Sequence, residues 1–187
     1  MIDDNNTNRR VIMTKRLLKD SLVECMKKKP IHSISIKEIC DHAQVNRSTF
    51  YRHYDTQFDL YDDIISDVVN DILDISQKHK DDHSEIMVDI LTYIETHRDM
   101  CLTLLSENGS LSIGETFSDL VTNVLANLSQ ENERSEMDTY VVQFISAGVA
   151  SIVWKWLNSE ERIPAKRLAR IIMVLTINRA KPTQFSN

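Results

Sequence analysis

The segment 35–60, SIKEICDHAQVNRSTFYRHYDTQFDL, constrains the fold of this chain more than any other stretch. Ser35 and Glu38 have the spacing of a capping box, in which a hydroxyl and a carboxylate satisfy free main-chain N–H groups at the start of a helix. Apolar residues then recur at helical spacing, which predicts a helix from Ile36 to His42 with one face packed inward.

A second short helix is predicted immediately after a tight turn. Residues 44–45 fit the turn, and Asn46 is a suitable N-cap for a helix that begins at Arg47. Phe50 and Tyr54 would then lie on the inward side of this helix. The side chains left on its outer face are polar, basic or aromatic: Arg47, Ser48, Thr49, Tyr51, Arg52 and His53.

This outer face has the chemistry that recognises DNA. An arginine can bind guanine through two hydrogen bonds, and Ser or Thr hydroxyls can bind base edges or phosphates. The free N–H groups at a helix N-terminus also attract phosphate. Two short helices with such a face therefore predict a helix-turn-helix that enters a major groove. A polar surface helix of an unrelated all-α protein is the alternative that so short a pattern leaves open.

The distribution of charge supports a DNA-binding head on a separate body. The whole chain has a formal net charge of −6, which by itself argues against a nucleic-acid partner. Residues 1–54, however, contain 11 Lys and Arg against 6 Asp and Glu, whereas residues 55–187 contain 11 against 22. A positive head on a negative body steers the head towards DNA.

The composition predicts an all-α protein of the cytoplasm. Only three Gly and three Pro occur in 187 residues, and the apolar residues fall in long periodic segments. No run of about 18 uncharged apolar residues is present, so we expect no membrane span. The N-terminus lacks an apolar signal core, and three widely spaced cysteines suit reduced thiols better than a disulfide framework.

The helix-turn-helix residues stand at the places of a known pattern, T/S-x-x-x-I-A-x-x-A-G-V-S-x-x-T-F/L-Y-x-H/Y-F, followed by x-x-K-E-x-L. The matching residues are Ser35, Ile39, Cys40, Ala43, Val45, Asn46, Thr49, Phe50, Tyr51, His53, Tyr54 and Leu60. In this the chain resembles the DNA-binding domain of the TetR/AcrR family of transcriptional regulators, and residues 9–22 look like the first helix of one subgroup. The resemblance implies DNA contacts from Thr14, Ser35, Lys37, Asn46, Arg47, Ser48, Thr49, Tyr51, Arg52 and His53.

Three positions depart from the family pattern. Gln44 stands where the family usually has Gly in a left-handed turn, a conformation that another residue can adopt at some strain. Gln57 replaces the usual Lys, whose contact with a DNA phosphate is then in doubt, and Asp55 replaces a residue that is often basic. We expect weaker attraction to the DNA backbone or a shallower salt dependence as the consequence.

The rest of the chain is predicted to be helical. Periodic apolar positions predict further helices over residues 11–29, 57–78, 84–106 (one helix or a pair), 115–128 and 137–157, and after Pro164. We therefore expect a three-helix, helix-turn-helix DNA-binding domain in residues 1–55. A helical domain for regulation and dimerisation is expected in residues 56–187.

Acidic and metal-like side chains in this body have ordinary interpretations. Aspartates recur on the outer face of the 57–78 helix, where a solvated surface is expected rather than a metal site. His79 and His83, and likewise His97 and Cys101, are spaced four apart and could supply two of the four ligands that zinc usually takes. No third ligand is identifiable, so we predict no metal or cofactor and keep metal sensing as the alternative.

The C-terminal third predicts self-association. The 137–157 helix is strongly apolar, and its small middle, SAGVAS at 146–151, would let a second helix approach closely. An amphipathic helix follows Pro164, and this region resembles the last two helices of the family, which form a four-helix dimer interface. Ordinary core packing is the alternative. The expected interface residues are Tyr140, Phe144, Gly148, Ile152, Leu168, Ile171, Ile172 and Leu175.

The resemblance implies a homodimeric DNA-binding regulator, a repressor released by a small-molecule effector. A C2 dimer presents two reader helices and so recognises a near-palindromic double-stranded operator. The effector is unidentified, and its candidate pocket residues are larger or polar-tipped groups on apolar faces: Tyr93, His97, Met100, Cys101, Phe117 and Phe144. Core packing explains these residues nearly as well.

Two other functional classes remain open. A coregulator of the same fold, acting through a protein partner rather than DNA, is the main alternative, and the departures at Gln44, Asp55 and Gln57 keep it open. An enzyme is disfavoured, because the sequence contains no nucleophile–base pattern, no glycine-rich phosphate loop and no complete metal site.

Overall fold

The structure, a computed structural model, describes residues 4–78, 82–106, 121–122 and 136–177 of the 187-residue chain. These residues form helices joined by short turns, and no strand occurs among them. The chain divides into two compact units, Met1–Val69 with Asp99–Ile113, and Asn70–Arg98 with Gly114–Asn187. The predicted all-α fold class is confirmed.

The described helices are, in chain order, α1 (Asp4–Met26), α2 (Ile36–Ala43), α3 (Arg47–Phe50), α4 (Gln57–Lys78), α5 (His83–Thr96), α6 (Arg98–Leu104), α7 (Glu136–Asn158) and α8 (Ala165–Ile177). A single 3-10 turn, Ile31–Ser33, separates α1 from α2. The sequence predicted α1 to begin at Val11 and to end at Lys29, so both of these predicted ends are wrong.

The predicted helix or helix pair over 84–106 is a pair. The main chain leaves the helical conformation at His97, with φ −103° and ψ 27°, which ends α5 at Thr96 before α6 begins at Arg98. The helix predicted over 115–128 lies almost wholly outside the described residues.

The first unit is built around one apolar cluster. Phe50 from α3 is fully buried among Leu18 and Leu22 of α1 and Leu60 of α4, and Leu104 of α6 joins the same cluster. α1 packs against α2, and α2 packs against α3. The two helices of the helix-turn-helix are thus held on a packed base, which keeps the outer face of α3 in a defined orientation.

The aspartates of α4 do not form one uniform solvated face. Asp62, Asp67, Asp71 and Asp74 are exposed as predicted. Asp63 is only partly exposed and accepts a hydrogen bond from the Tyr54 hydroxyl, so its predicted place on the outer face is wrong.

The second unit contains a helical hairpin made by α7 and α8. Its inner side buries Leu157, Trp156 and Ile172, and α5 packs against α8. The Trp156 indole N–H donates to the main-chain oxygen of Ile163 at 2.8 Å, which ties the end of α7 to the turn before α8. Pro164 precedes the first residue of α8, close to the predicted helix start.

One helical segment in the described part of the chain, Thr139–Asn158, is long and apolar enough to cross a membrane by length and composition. Its mean hydropathy is 1.3, and 28% of it is buried within the protein. The core helix of a soluble protein passes the same test, so a single such segment is weak support for a membrane span. The expectation that the chain has no membrane span stays a prediction.

Candidate nucleic-acid interface

The predicted capping box at the start of α2 is present. The Ser35 hydroxyl accepts a hydrogen bond from the Glu38 main-chain N–H at 3.2 Å, and the Ser35 N–H donates to Glu38 Oε2 at 2.9 Å. Lys29 Nζ lies 2.6 Å from the other carboxylate oxygen, Oε1. The hydrogen bond from Lys29, and then those from Ser35, lower the Glu38 pKa to about 2. The first turn of α2 is therefore closed by its own side chains.

The turn between α2 and α3 has the left-handed conformation that the sequence implied for Gln44. Its φ is 54° and its ψ is 40°, and within the described residues it is the only non-glycine position with positive φ. The Val45 N–H donates to the Cys40 carbonyl oxygen at 2.9 Å, which closes the C-terminal turn of α2. Glutamine fills a place where glycine would be less strained.

We name residues 46–53 the reader segment. The structure differs from the prediction at the first of these residues, which was expected to cap α3. Asn46 occupies the N-cap position of α3, but its side chain makes no capping hydrogen bond. The α-helix proper covers only Arg47–Phe50, and residues 51–53 continue it as turns, with the His53 N–H donating to the Phe50 oxygen at 2.9 Å. The Asn46 amide is consequently exposed and not engaged in a helix cap.

An open groove of about 370 Å³ brings several of the predicted DNA contacts together. The predicted residues that line it are Ser35, Lys37, Arg47 and Tyr51. The lining is completed by the 3-10 turn, the residue after it and the first residues of α2 and α4: His32, Ser33, Ile34, Ile36 and Gln57. Sequence reasoning missed His32 and Ser33, although Pro30 shortly before them signals a turn that returns towards α2.

The other predicted DNA contacts do not line this groove. Ser48 and Arg52 are exposed, whereas Thr49 and His53 are half-buried, and Thr14 is half-buried on α1. Burial lowers the His53 pKa, and the positive charges of Lys15 and Arg52 add to the effect. A neutral His53 is therefore favoured at neutral pH.

Most lysines of the first unit are engaged by acidic side chains. Lys29 pairs with Glu38, Lys27 with Glu24 at 2.5 Å, and both Lys15 and Lys19 with Asp63. Lys37 lies 3.7 Å from Asp41 on a fully solvated surface, where an ion pair adds little. In the described part of the chain, Arg47 and Arg52 make no ion pair, so the reader segment carries positive charge that is free to meet an anion.

The predicted pocket residues are distributed over both units. Met100 packs against the core of the first unit. Cys101 of the same unit is buried, and burial raises its pKa to about 11. Phe144 is 67% exposed on α7, and Phe117 lies outside the described residues.

Tyr93 and His97 contact each other in the second unit. Their ring centroids are 4.4 Å apart, and the Tyr93 hydroxyl donates to Asp71 Oδ2 at 2.8 Å.

Within the described residues, no three His, Cys, Asp or Glu side chains come together as a metal site. His83 is exposed at the start of α5, and His79 lies outside those residues.

A second surface, the apolar face of α7 and α8, gathers several of the predicted interface residues. A groove of about 180 Å³ is lined by Phe144, Ile145, Gly148, Val149, Ile152, Ile172, Leu175 and Thr176. Tyr140, Phe144, Ile171 and Leu175 are exposed, whereas Leu168 and Ile172 are buried in the protomer core. A Cβ atom added at Gly148 would meet no described atom within 4 Å, so the described part of the protomer does not require glycine there.

Two protein families match this chain, one towards its N-terminus and one towards its C-terminus. Residues 20–64 match the family described as bacterial regulatory proteins, tetR family. Residues 81–178 match the family described as transcriptional regulator C-terminal region, which covers more than half of the chain. The comparison with curated proteins found no match.

Solved structures share the fold at low sequence identity. The chain is similar to a TetR transcriptional regulator from Streptococcus agalactiae, with a TM-score of 0.72 and 19% identity over 93% of this chain and 99% of that one. It is similar to a TerR/AcrR-family regulator from Aquifex aeolicus, with a TM-score of 0.62 and 15% identity over 87% and 99% of the two chains. It is also similar to the dihydroxyacetone kinase operon activator DhaS, with a TM-score of 0.64 and 16% identity over 89% and 96%.

Proposed function

The chain belongs to the TetR family of bacterial transcriptional regulators, and we propose that it regulates transcription by placing its reader segment in the major groove of a specific operator. The members of this family are regulators and not enzymes. The observation that carries the proposal is Arg47, which is exposed, makes no ion pair with any described residue and lies beside Tyr51 and Lys37 in the groove of the first unit. These side chains can bind base edges and phosphates together.

A homodimer is part of the proposal. One short reader contacts few base pairs, and two readers related by a two-fold axis can recognise a near-palindromic site. The exposed side chains of Tyr140, Phe144, Ile171 and Leu175 on α7 and α8 support a second copy of this face as the partner, because water is an unfavourable neighbour for so much apolar surface. The open space at Gly148 would admit a close helix of that copy.

We further propose that the regulator is a cytoplasmic repressor released by a small effector. DNA binding is assigned to residues 1–55, and effector binding and dimerisation to residues 56–187. The candidates for effector binding in the second unit are Tyr93, His97, Phe117 and Phe144, and those in the first unit are Met100 and Cys101. An effector acts if it prefers the state that does not bind DNA, and a coupling of about 1–3 kcal/mol is typical of such systems.

The DNA-binding proposal is tested by selection from a library of random-sequence duplexes with the purified wild-type protein. We expect enrichment of a near-palindromic sequence, the selected duplex. Arg47→Ala should weaken binding to this duplex about ten-fold or more, because a bidentate arginine–guanine contact contributes about 1–3 kcal/mol. Arg167→Ala, at an exposed position on α8, removes the same charge and serves as the control.

Failure to enrich any sequence, with Arg47→Ala and Tyr51→Ala equal to wild type at low salt, would contradict DNA reading and favour a coregulator that acts through a protein partner. The direction of regulation needs a separate measurement. With the selected duplex placed across a promoter, a repressor lowers transcription in vitro and an activator raises it.

A further inference from the structure

Three elements of the first unit meet at one carboxylate oxygen, Asp63 Oδ2 on α4. Tyr54 is the residue directly after the reader segment, and its hydroxyl donates a hydrogen bond to this oxygen at 2.6 Å. From α1, Lys19 Nζ lies 3.0 Å and Lys15 Nζ lies 3.3 Å from the same atom. We name these four residues, Lys15, Lys19, Tyr54 and Asp63, the Asp63 clamp.

The clamp is partly shielded from water, which strengthens its hydrogen bonds. Tyr54 is 6% exposed and the Lys19 side chain 16%, whereas the Asp63 side chain is 29% and the Lys15 side chain 39% exposed. Lys19 Nζ also reaches the main-chain oxygen of Asp63 at 3.3 Å and Asp67 Oδ2 at 2.5 Å. Burial by itself would raise the Asp63 pKa, but the hydrogen bonds from Tyr54 and the two lysines outweigh it and lower this pKa to about 2. Asp63 is therefore ionised at neutral pH.

The clamp is joined to the reader segment through the Tyr54 ring. This ring lies 5.7 Å from the fully buried Phe50 ring and 6.3 Å from the His53 ring, measured between centroids. The Lys15 ammonium group lies 5.3 Å from the Tyr54 centroid. A displacement of Tyr54 would consequently shift the C-terminal end of the reader segment.

The clamp also engages two of the cations of α1. Lys15 and Lys19 face Asp63, and Lys19 faces Asp67 as well, so two positive and two negative charges compensate each other. The reader arginines have no such partner among the described residues. Attraction to DNA is thereby concentrated on the side chains that can read bases, and less of it comes from α1.

We infer that the Asp63 clamp is a positioning device for DNA recognition, which holds the reader segment on α4 and keeps the Lys15 and Lys19 ammonium groups on protein carboxylates. The first effect favours the correct duplex, and the second disfavours incorrect ones, so the clamp raises discrimination between them. This inference rests on the proposed DNA-binding function. None of the four residues needs to touch a base.

The test compares Tyr54→Phe and Asp63→Asn with wild type in the full-length protein. Each variant binds two probes: the selected duplex, and a scrambled duplex of the same length and composition. Asp62→Asn is the matched control, because it removes the same charge from the neighbouring, exposed position of α4, which makes no hydrogen bond or ion pair among the described residues. Circular dichroism first establishes that each variant is as helical as wild type.

We expect both clamp variants to bind the selected duplex about ten-fold more weakly, since a hydrogen bond to a charged group is lost in each of two subunits. The affinity of Asp63→Asn for the scrambled duplex should stay within about two-fold or rise, because Lys15 and Lys19 lose a carboxylate partner. The affinity of Tyr54→Phe for this duplex should stay within about two-fold, because the lysines keep their partner. The Asp62→Asn control should change neither affinity. If Asp63→Asn does not fold, Tyr54→Phe, which keeps the ring, carries the test alone.

The inference is overturned if the clamp variants match Asp62→Asn on the selected duplex. It is also overturned if affinity for both duplexes falls by the same factor, which is the result expected from a merely damaged domain. Absence of any enriched duplex with wild-type protein is a different outcome, and it contradicts the proposed function itself.

Discussion

The Tyr61 hydroxyl donates a hydrogen bond of 3.0 Å to the main-chain oxygen of Leu104, the last residue of α6. Carbonyl groups in the last turn of a helix have no partner within the helix, so Tyr61 supplies one from α4. Tyr61 is 3% exposed, and water cannot readily replace it.

Tyr61→Phe should therefore lower the free energy of unfolding by about 1–2 kcal/mol, the cost of leaving a buried carbonyl oxygen unsatisfied. Urea unfolding followed by circular dichroism measures the change. Tyr51→Phe removes a hydroxyl from a ring that is 49% exposed and should change stability much less. Equal effects of the two substitutions would contradict the role of Tyr61.

Gln44→Gly should stabilise the protein by about 0.5 kcal/mol, because relief of left-handed strain outweighs the extra flexibility of glycine in the unfolded chain. Gln44→Ala is the matched control, since alanine must adopt the same φ of 54° without relief. Thermal unfolding should rank glycine above both glutamine and alanine. A glycine variant less stable than the alanine variant would contradict this prediction, because the flexibility of glycine in the unfolded chain would then outweigh the relief of strain.

Glu38→Gln should produce a pH-dependent loss of stability. The folded pKa of Glu38, about 2, lies below its ordinary value of 4.5, so the ionised carboxylate stabilises the fold. This contribution is complete above pH 4.5 and is lost as the pH falls towards about 2. The difference in melting temperature between wild type and Glu38→Gln should be constant from neutral pH to pH 5 and then shrink. Glu160→Gln, on the exposed turn between α7 and α8, should show no such pattern.

Gln57→Lys should tighten DNA binding at low salt. Gln57 lines the groove that also contains Arg47 and Tyr51, so the new ammonium group would lie close to a bound phosphate. Each added phosphate contact steepens the slope of log K against log salt by about 0.9, hence by about 2 for a dimer. Gln77→Lys makes the same change at an exposed position near the other end of α4 and should leave the slope unaltered. Equal slopes for wild type and Gln57→Lys would place this position away from the DNA backbone.

Gly148→Leu should convert a dimer into monomers without unfolding the protomer. Among the described residues there is open space beside this position, and leucine favours a helix more than glycine does. A second copy packed closely against Gly148 would be pushed away. Light scattering after size-exclusion chromatography measures the mass, and Gln77→Leu, at an exposed helical site outside the α7 and α8 groove, is the control. A dimeric Gly148→Leu variant would locate the interface elsewhere.

The helix-turn-helix was predictable because its signals are local. The capping box of Ser35 and Glu38 and the left-handed turn at Gln44 join residues only a few positions apart, and both have the predicted conformation. Asn46 shows the limit of such signals. Its residue type favours a cap, yet the side chain makes no capping bond, and propensity does not determine which hydrogen bond a side chain makes.

The predicted interface on α7 and α8 shows a second limit. Helical periodicity placed Leu168, Ile171, Ile172 and Leu175 in one apolar stripe. In the folded protomer, Leu168 and Ile172 are buried, whereas Ile171 and Leu175 are exposed. A stripe shows which residues avoid water, but only the packing of α5 against α8 decides which of them the protomer itself covers.

The sequence by itself determined the all-α class, the helix-turn-helix and its outer face, because helical periodicity, caps and turns depend on neighbours within a few residues. Only the tertiary structure decided the role of Asp63, which the sequence placed among solvated aspartates of α4. Its lysine partners on α1 are separated from it by 48 and 44 residues along the chain. Contacts over such separations arise from the packing of helices against one another, and no local pattern specifies them.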